Sequence, residues 1–419
     1  MQAEYRQRRE QLMAKIGNGT AIFGSAPMAT MHNDVEYVYR QESDFYYLTG
    51  FNEPHAVAVI APHHDEHKFI LFVQPKEREK EIWTGYRVGV DAAKEKYGAD
   101  EAYLISELDE KLPQYLEKGD KIYYHMGRDE QLNGKVITHW QRLLRSYGKR
   151  GTGPVAIEDP FLTLHPLRQV KSPAELDLMR EAARIAALAH ARAREIAKPG
   201  VNESEIEAEI EYIFRKNGAM GVAYPSIVAS GSNACVLHYI ENNSTLKDGD
   251  LLLIDAGCAV GYYNSDVTRT FPVNGKFTTE QKIIYELVLD AQMASIEQVK
   301  PGTTWKDFHH TSVQIITEGL VQLELLAGDV NTLIEEGKYK NFYMHGAETW
   351  YQFQSGNIIT VEPGIYISPD IEPAEGQPKI DDCWKGIGVR IEDDVLITAN
   401  GNEVLTAAIP KFVEHLESH

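Results

Sequence analysis

The sequence predicts a mixed α/β protein of two domains, the second of which contains an internal duplication. Three observations support this prediction. Short apolar strands alternate with helices in the first 150 residues, two similar helix pairs follow in succession, and four carboxylates accompany apolar strands near the C-terminus. A chain of 419 residues and 47.2 kDa is also long enough to bury two hydrophobic cores.

The expected N-terminal α/β domain covers residues 1–170. Residues 56–60 and 69–73 are predicted to be buried strands, because apolar residues follow one another there without a polar alternation. Residues 148–154 contain three glycines and two cations, which predicts a linker.

The expected C-terminal domain, residues 171–419, begins with a helix. Its first residues, Ser172 to Glu175, form a capping box with proline at the first helical position. That helix is predicted to end at Lys198-Pro199-Gly200, and a second helix to run from Glu203 to Lys216.

The same arrangement recurs further along the chain. A capping box at Thr278 and Gln281 starts a helix that ends at Lys300-Pro301-Gly302, and a further helix runs from about Trp305 to Gly319. We therefore expect a duplicated helix–turn–helix plus strand unit. Each half ends in acidic strands, so the two halves are expected to face each other across one site.

Four carboxylates lie on or beside predicted strands: Asp255 and Asp266 in the first half, Glu362 and Glu392 in the second. A carboxylate among apolar residues is costly unless a positive charge compensates it, and neighbouring carboxylates raise one another's pKa. The pattern therefore predicts an oxygen-rich site for divalent cations, with two ions expected and Mn²⁺ favoured. Such ions would hold a nucleophilic hydroxide and polarise a scissile carbonyl.

Composition argues against several classes of partner. The net charge of −20 argues against binding to nucleic acid or to an anionic membrane surface. No segment is long and apolar enough to span a bilayer, and the N-terminus lacks the apolar core of a signal peptide. Three widely spaced cysteines, Cys235, Cys258 and Cys383, suggest free thiols in a reducing cytoplasm.

Several segments, in this order along the chain, carry a family resemblance: residues 39–54, 81–85, 237–239, 253–257, 266–275, 360–366 and 386–394. Together they resemble the metallopeptidases of the aminopeptidase P, prolidase and methionine aminopeptidase group. The similarity to aminopeptidase P covers nearly the whole chain. It implies an N-terminal domain that serves oligomerisation and access to the site, followed by a catalytic domain with the pita-bread fold.

The resemblance also implies roles for the carboxylates. Asp255 matches the bidentate ligand of the first metal ion, and Asp266 and Glu392 match ligands that bridge two ions. Glu362 matches a ligand of the other ion that assists proton transfer.

Further roles follow from the same resemblance. His238 and His345 match histidines that bind substrate or stabilise the tetrahedral intermediate, and Tyr366 and Arg390 match residues that line the site. Trp83 matches a tryptophan that a neighbouring subunit contributes in tetrameric relatives, so a homodimer or homotetramer is expected.

Residue chemistry alone leaves alternatives open for three of these side chains. Arg390 would equally fit an ion pair with Asp393 or Glu392. Trp83 would fit core or interface packing, and His238 on its own would more often be structural.

The sequence departs from the family at one point. The family carries a metal-ligand histidine four residues after the first active-site histidine, and a third histidine later, but no histidine lies between His345 and Glu362 here. Either Thr349 replaces the ligand before Trp350, or the histidine-bearing strand and its loop are absent, which we prefer. A third explanation is that a loop is missing from the sequence as numbered. Without that ligand a dinuclear site could become mononuclear.

Three functions are therefore in competition. The favoured one is a metal-dependent exopeptidase that removes the N-terminal residue from peptides with proline in second position. The second is a prolidase-type dipeptidase restricted to Xaa-Pro dipeptides. The third is a metal-poor binding module that keeps the scaffold without hydrolysis, a hypothesis that the missing histidine supports and the four retained carboxylates oppose.

Overall fold

A computed structural model describes residues 2–346 and 351–417 of the chain. The chain divides into two compact units, Met1–Gln169 and Val170–His419. Among the described residues, no helix combines the length and the apolar composition needed to cross a lipid bilayer.

The N-terminal unit is built on a six-stranded mixed sheet with helices on its faces. Its strands are β1 (Thr20–Gly24), β2 (Thr30–His32), β3 (Val35–Glu36), β4 (Val57–Ile60), β5 (Phe69–Val73), β6 (Glu101–Leu104), β7 (Ile122–Tyr124) and β8 (Ile157–Glu158). Its helices are α1 (Gln2–Ile16), α2 (Ser43–Thr49), α3 (Arg78–Thr84), α4 (Gly89–Tyr97), α5 (Leu108–Leu116), α6 (Glu130–Arg150) and α7 (Phe161–Gln169), with a 3₁₀ turn at Ile105–Glu107. The strand order is β6-β5-β4-β1-β7-β8, and β2 pairs with β3 in a separate hairpin.

The two apolar strands predicted in this unit are confirmed as β4 and β5. Every residue of both strands is buried, because one core packs on each face of the sheet. Leu12 and Phe45 contribute to one core, and Leu112 and Tyr115 contribute to the other. Burial on both faces removes the polar alternation that a strand with one wet face would show.

The linker predicted at residues 148–154 is wrong. Helix α6 continues to Arg150 and ends where Gly151 adopts a φ of 68°, and β8 then pairs with β7 in the same sheet. The glycines therefore form a helix C-cap and a turn inside the N-terminal unit. Glycine composition marks a chain reversal, but it does not tell whether the next element joins the same sheet.

The C-terminal unit follows the predicted repetition of two helices and a set of strands. Its helices are α8 (Pro173–Ile196), α9 (Glu203–Lys216), α10 (Thr279–Gln298), α11 (Trp305–Gln322), α12 (Val330–Glu335) and α13 (Val413–Leu416), with 3₁₀ turns at Gly231–Cys235 and Lys338–Asn341. The first strands are β9 (Gly221–Val222), β10 (Ile227–Ser230), β11 (Leu251–Asp255), β12 (Cys258–Val260), β13 (Tyr263–Asn264) and β14 (Thr268–Pro272). The second set is β15 (Ile358–Val361), β16 (Gly364–Ile367), β17 (Ile387–Arg390), β18 (Asp393–Thr398) and β19 (Gly401–Val404).

The predicted helix starts are confirmed by their caps. Ser172 caps α8 and Thr278 caps α10, each in a capping box with the residue three positions on. The predicted end of α11 at Gly319 is wrong, since the helix continues to Gln322. Gly319 is instead a packing residue, because a Cβ there would overlap the side chain of Leu287 on α10.

Antiparallel ladders order the strands of this unit into β10-β11-β14, β13-β12-β9, β15-β18-β19 and β16-β17. A large core beneath them joins both helix pairs, with Ile185, Phe214, Tyr285 and Ile316 among its buried members. This core fixes the strands from which the acidic side chains project.

A buried ion network lies beside the acidic strands and is centred on Asp393. The carboxylate accepts hydrogen bonds from Arg269 Nη2 at 2.6 Å and Thr406 Oγ1 at 2.6 Å on one oxygen, and from Lys411 Nζ at 2.7 Å and Gln292 Nε2 at 2.8 Å on the other. Burial opposes ionisation of Asp393, but the charges of Arg269 and Lys411 outweigh it and lower its pKa to about 2.

Replacing Asp393 with Asn is expected to destabilise the chain by about 3–5 kcal/mol, because Arg269 and Lys411 would stay buried without a counter-charge. Urea unfolding of the metal-free chain measures the loss and keeps metal binding out of the comparison. Glu181→Gln is the matched control, since its ion pair with Arg184 is exposed and should be worth less than about 1 kcal/mol. Equal losses in the two variants would contradict the network's role.

Candidate metal centre and active site

Three of the four predicted carboxylates meet at the ends of strands. Asp255 is the last residue of β11, Asp266 precedes β14, and Glu392 lies between β17 and β18. One ligand oxygen from each lies within 4.8 Å of the others. Within residues 2–346 and 351–417, this is the group of histidine, cysteine and acidic side chains whose geometry suits a metal ion.

Gly257 allows the main chains that carry Asp255 and Asp266 to approach each other closely. A Cβ on Gly257 would overlap the main-chain carbonyl of Ser265, so only glycine fits where the chain leaving Asp255 passes the chain entering Asp266. The amide of Ala256 donates to the carbonyl of Val267 at 3.2 Å across the same gap.

Thr268 joins the two halves of the unit at this point. Its Oγ1 donates to Glu392 Oε2 at 2.7 Å, and the amide of Glu392 donates to the Thr268 carbonyl at 3.1 Å. Thr268 is not among the site residues predicted from the sequence, although strand alternation could have indicated it, because residues two apart project to the same face as Asp266. Tyr224 is not among them either; its hydroxyl donates to Asp255 Oδ1 at 2.7 Å from a loop with no strand or helix pattern.

Electrostatics in the cluster favour a bound cation. Burial raises the pKa of Asp266 to about 6 and that of Glu362 to about 7, with the Asp255 charge adding to both. Burial and the charges of Glu362 and Asp266 raise the pKa of Glu392 well above its usual range. Only oxygen atoms are offered, which is the donor set of a hard divalent cation, and such an ion would relieve the repulsion.

Arg390 connects the carboxylates to the remaining predicted residues. Its Nη2 donates to Asp255 Oδ2 at 2.7 Å, its Nε to Thr268 Oγ1 at 3.1 Å, and its Nη1 to Tyr366 Oη at 3.1 Å. The alternative pairing of Arg390 with Asp393 is therefore wrong. Asp393 turns into the neighbouring buried network, whereas Arg390 reaches a carboxylate that is distant in sequence.

His345 extends this chain of contacts to the fourth carboxylate. Its Nε2 lies 3.0 Å from Tyr366 Oη, and its Nδ1 lies 3.4 Å from Glu362 Oε2. Burial lowers the pKa of His345 to about 4, and the Arg390 charge adds to the effect, so the imidazole is neutral near pH 7. A neutral imidazole can offer one N–H donor to a substrate while its other nitrogen accepts.

The other two predicted residues lie outside this buried core. His238 is exposed, in the turn after the 3₁₀ segment Gly231–Cys235, and its charge is among those that lower the pKa of His345. Trp83 lies on α3 of the N-terminal unit and is 88% exposed. The functional roles of both side chains stay predictions.

The segment that departs from the family is only partly described. Thr349 and Trp350, on which one of the alternative alignments rests, lie outside the described residues. On the described sides, Gly346 has no regular structure and Gln352 forms an isolated bridge with Thr304. Glu362 follows β15 directly.

Family models match both parts of the chain. The model of metallopeptidase family M24 matches residues 177–399, and the model of the aminopeptidase P N-terminal domain matches residues 5–123. The Xaa-Pro aminopeptidase of Escherichia coli strain K12 is 40% identical over 99% of this chain and 97% of its own length. The Xaa-Pro aminopeptidase of Haemophilus influenzae is 41% identical over 99% of this chain and 96% of its own.

Solved structures agree with these sequence matches. The structure of Pseudomonas aeruginosa aminopeptidase PepP superposes with a TM-score of 0.93 at 45% identity, covering 100% of this chain and 97% of that one. Aminopeptidase P from E. coli with the inhibitor Pro-Leu gives a TM-score of 0.92 at 39% identity, with coverage of 100% and 97%. A zinc-substituted form of the E. coli protein in complex with product is also similar, at a TM-score of 0.93.

Metal binding to this cluster is expected to tighten as pH rises from 6 to 8. In the metal-free chain Asp266 and Glu362, with pKa values of about 6 and 7, and Glu392, with a higher one, hold protons that a cation must displace. Calorimetric titration with Mn²⁺, repeated in buffers of different ionisation enthalpy, measures the affinity and counts the released protons.

Glu392→Gln serves as the reference variant for this titration. It removes one ligand oxygen and should weaken Mn²⁺ binding by more than the roughly 10–100-fold that loss of an outer partner costs. Binding without proton release at pH 6 would contradict the raised pKa values.

Proposed function

Because the chain belongs to metallopeptidase family M24, and over nearly its whole length to the aminopeptidase P group within it, we propose how its residues carry out Xaa-Pro aminopeptidase chemistry. The chain is a metal-dependent exopeptidase that removes the N-terminal residue from peptides with proline in second position. The predicted fold, an N-terminal α/β domain followed by a pita-bread catalytic domain, is confirmed. Full-length similarity to Xaa-Pro aminopeptidases, together with the carboxylate cluster, carries this conclusion.

Asp255, Asp266 and Glu392 would hold the divalent cation, and Mn²⁺ is proposed because all the donors are oxygen atoms. When bound, the cation supplies polarisation of the scissile carbonyl and a lowered pKa for a water molecule. Arg390 holds Asp255 in position through an ion pair of 2.7 Å to Oδ2. The hydroxyl of Tyr224 donates a hydrogen bond to the other oxygen of the same carboxylate, Oδ1.

Glu362 is proposed to move the proton during hydrolysis. Glu362 lies at the edge of the carboxylate cluster with its Oε2 3.4 Å from His345 Nδ1, and burial raises its pKa in the metal-free chain, so the carboxylate is placed to accept a proton and return it. His345, neutral and hydrogen-bonded to Tyr366, would donate to the carbonyl oxygen as negative charge develops on it. His238 would contact the substrate from the exposed side of the site.

A second ion is proposed to bind more weakly than the first. Glu362, its expected ligand, lies beside His345 Nδ1 and is not part of the group whose ligand atoms lie within 4.8 Å of one another. The family's ligand histidine is absent from the sequence between His345 and Glu362, so carboxylates and water would have to complete the coordination.

We also propose self-association of the chain and a cytoplasmic location. Helix α3 exposes Trp83, and Ile82 and the nearby Tyr86 are 73% and 98% exposed, an amount of bare apolar surface that a second copy would cover. The N-terminal unit, residues 1–170, would then serve assembly and access to the site.

The proposed cytoplasmic location rests on the cysteines. Free Cys235, Cys258 and Cys383 support a reducing compartment.

The proposed activity is tested with a tripeptide of the Xaa-Pro-Xaa type and the corresponding Xaa-Pro dipeptide. We expect release of the N-terminal residue from the tripeptide, no cleavage of the dipeptide, loss of turnover with EDTA and recovery with Mn²⁺. Cleavage of the dipeptide alone would identify a prolidase-type dipeptidase. No turnover and no bound metal would identify a binding module and contradict the proposal.

Metal content measured on the same preparation tests the proposed order of binding. Equilibrium dialysis against graded Mn²⁺ should show one ion per chain at low concentration and the second only at higher concentration. Two ions binding with equal affinity would contradict the proposed weakness of the second site.

Self-association is tested by sedimentation equilibrium. Ile82→Ser with Tyr86→Ser should shift the chain toward the monomer, because both side chains leave water when a second copy covers α3. Leu144→Ser is the control, since Leu144 is also exposed in the same unit but lies on α6. A wild-type chain that is monomeric at micromolar concentration would contradict the proposal.

A further inference from the structure

Glu203 is a fully buried carboxylate at the start of α9. Among the described residues no ion pair compensates its charge. Instead it accepts five hydrogen bonds. Oε1 accepts from Ser230 N at 2.7 Å, Ser230 Oγ at 2.7 Å and Asn233 Nδ2 at 3.1 Å, and Oε2 accepts from Tyr239 Oη at 2.9 Å and Ser244 N at 2.8 Å. Burial of an ionised carboxylate is costly, and the hydrogen bonds that compensate it here could not all form with a neutral side chain. We therefore ask which part of the structure this carboxylate holds in place.

All five donors belong to one segment, residues 230–244, and this segment carries His238. Ser230 ends β10, Asn233 lies in the 3₁₀ turn, and Tyr239 follows His238 directly. The carboxylate therefore accepts hydrogen bonds from residues on both the N-terminal and the C-terminal side of His238, including its neighbour Tyr239. The main chain adds a further tie, from the Glu203 amide to the Ser244 carbonyl at 2.9 Å.

The segment depends on these hydrogen bonds because its own backbone forms little regular structure around His238. Residues 236–244 contain no strand or helix. Asn242 adopts a φ of 45° and is held there by its side chain, which accepts from Val228 N at 2.9 Å and donates to the Ser226 carbonyl at 2.8 Å. A segment without a regular hydrogen-bond ladder relies on side chains to fix its conformation.

Capping of α9 does not account for Glu203. Asn202 caps the helix by accepting from Ser204 N at 3.0 Å, and Glu205 completes the capping box by accepting from Asn202 N at 3.0 Å. The helix terminus is thus satisfied by its two neighbours, which leaves the Glu203 carboxylate entirely to the His238 segment.

We propose that Glu203 is a positioning residue for His238, holding the segment that presents this histidine to the peptide substrate. The proposal rests on the proposed function in one respect, the role of His238 in substrate contact. It extends that function by assigning the placement of the histidine to a carboxylate that is not one of the expected metal ligands.

The experiment is a double-mutant cycle with Glu203→Gln and His238→Ala. Glu203→Gln keeps the shape of the side chain, but in either orientation its amide nitrogen must face a main-chain amide that can only donate, that of Ser230 or that of Ser244, so the segment should loosen. We expect kcat/KM for an Xaa-Pro-Xaa tripeptide to fall about 10- to 100-fold, in the same parameter, kcat or KM, that His238→Ala affects. In the His238→Ala background the same change should have little further effect.

Glu205→Gln is the matched control, since it removes a charge from the same helix turn, where Glu205 accepts from Asn202 N, and in the part of the chain that the structure describes no hydrogen bond or ion pair joins Glu205 to the His238 segment. It should leave kcat/KM unchanged. Tyr239→Phe removes one of the five donors and is the milder variant if Glu203→Gln folds poorly. It too should lose activity only where His238 is present.

Hydrogen exchange provides a readout that does not depend on turnover. Amides of residues 231–244 should exchange faster in Glu203→Gln than in Glu205→Gln, while the β11 amides stay protected. Unchanged exchange in the segment overturns the proposal, whether or not the wild type cleaves peptides. Faster exchange with activity losses that simply add to those of His238→Ala also overturns it, because Glu203 would then act independently of the histidine.

Discussion

Mutual repulsion among buried carboxylates is the constraint on which the rest of this structure depends. Asp255 and Asp266 come from one half of the catalytic domain, Glu362 and Glu392 from the other, and burial raises the pKa of the last three of these groups. A cation that binds at this point would therefore displace protons from these carboxylates. A close approach at Gly257 and the cross-link through Thr268 hold the acidic strand ends together against that repulsion.

Two adjacent acidic residues, Glu392 and Asp393, have different electrostatic surroundings because their side chains lie on different faces of the chain. Glu392 turns toward the metal cluster, whereas Asp393 turns into a network with Arg269 and Lys411 that lowers its pKa to about 2. Adjacent acidic residues thus have opposite electrostatic surroundings, which raise the pKa of Glu392 and lower that of Asp393. Arg390 belongs to the first group, because it neutralises Asp255 and also orients Tyr366.

A second set of contacts supports the side chains around the carboxylate cluster. Tyr366 and His345 connect Arg390 to Glu362, and Glu203 gathers the segment that carries His238. No histidine lies between His345 and Glu362 in the sequence. Among the described residues, Glu362 accepts a hydrogen bond from Thr360 Oγ1 at 3.4 Å and lies 3.4 Å from His345 Nδ1, so under the proposed function proton transfer and ligation of a second ion would depend on the same carboxylate.

The sequence by itself determined the starts of the four helices α8 to α11, the caps of α8 and α10, the buried strands β4 and β5 and the four acidic positions, because each depends on residues a few positions apart. It did not determine the pairing of Arg390 with Asp255, the contribution of Tyr224, or the continuation of α6 through a glycine-rich segment into the same domain. Those features were decided by tertiary structure. Arg390 and Asp255 are 135 residues apart and meet only when the two halves of the catalytic domain pack, and Tyr224 reaches Asp255 across 31 residues. A local pattern carries no information about which distant side chain or strand a segment will contact.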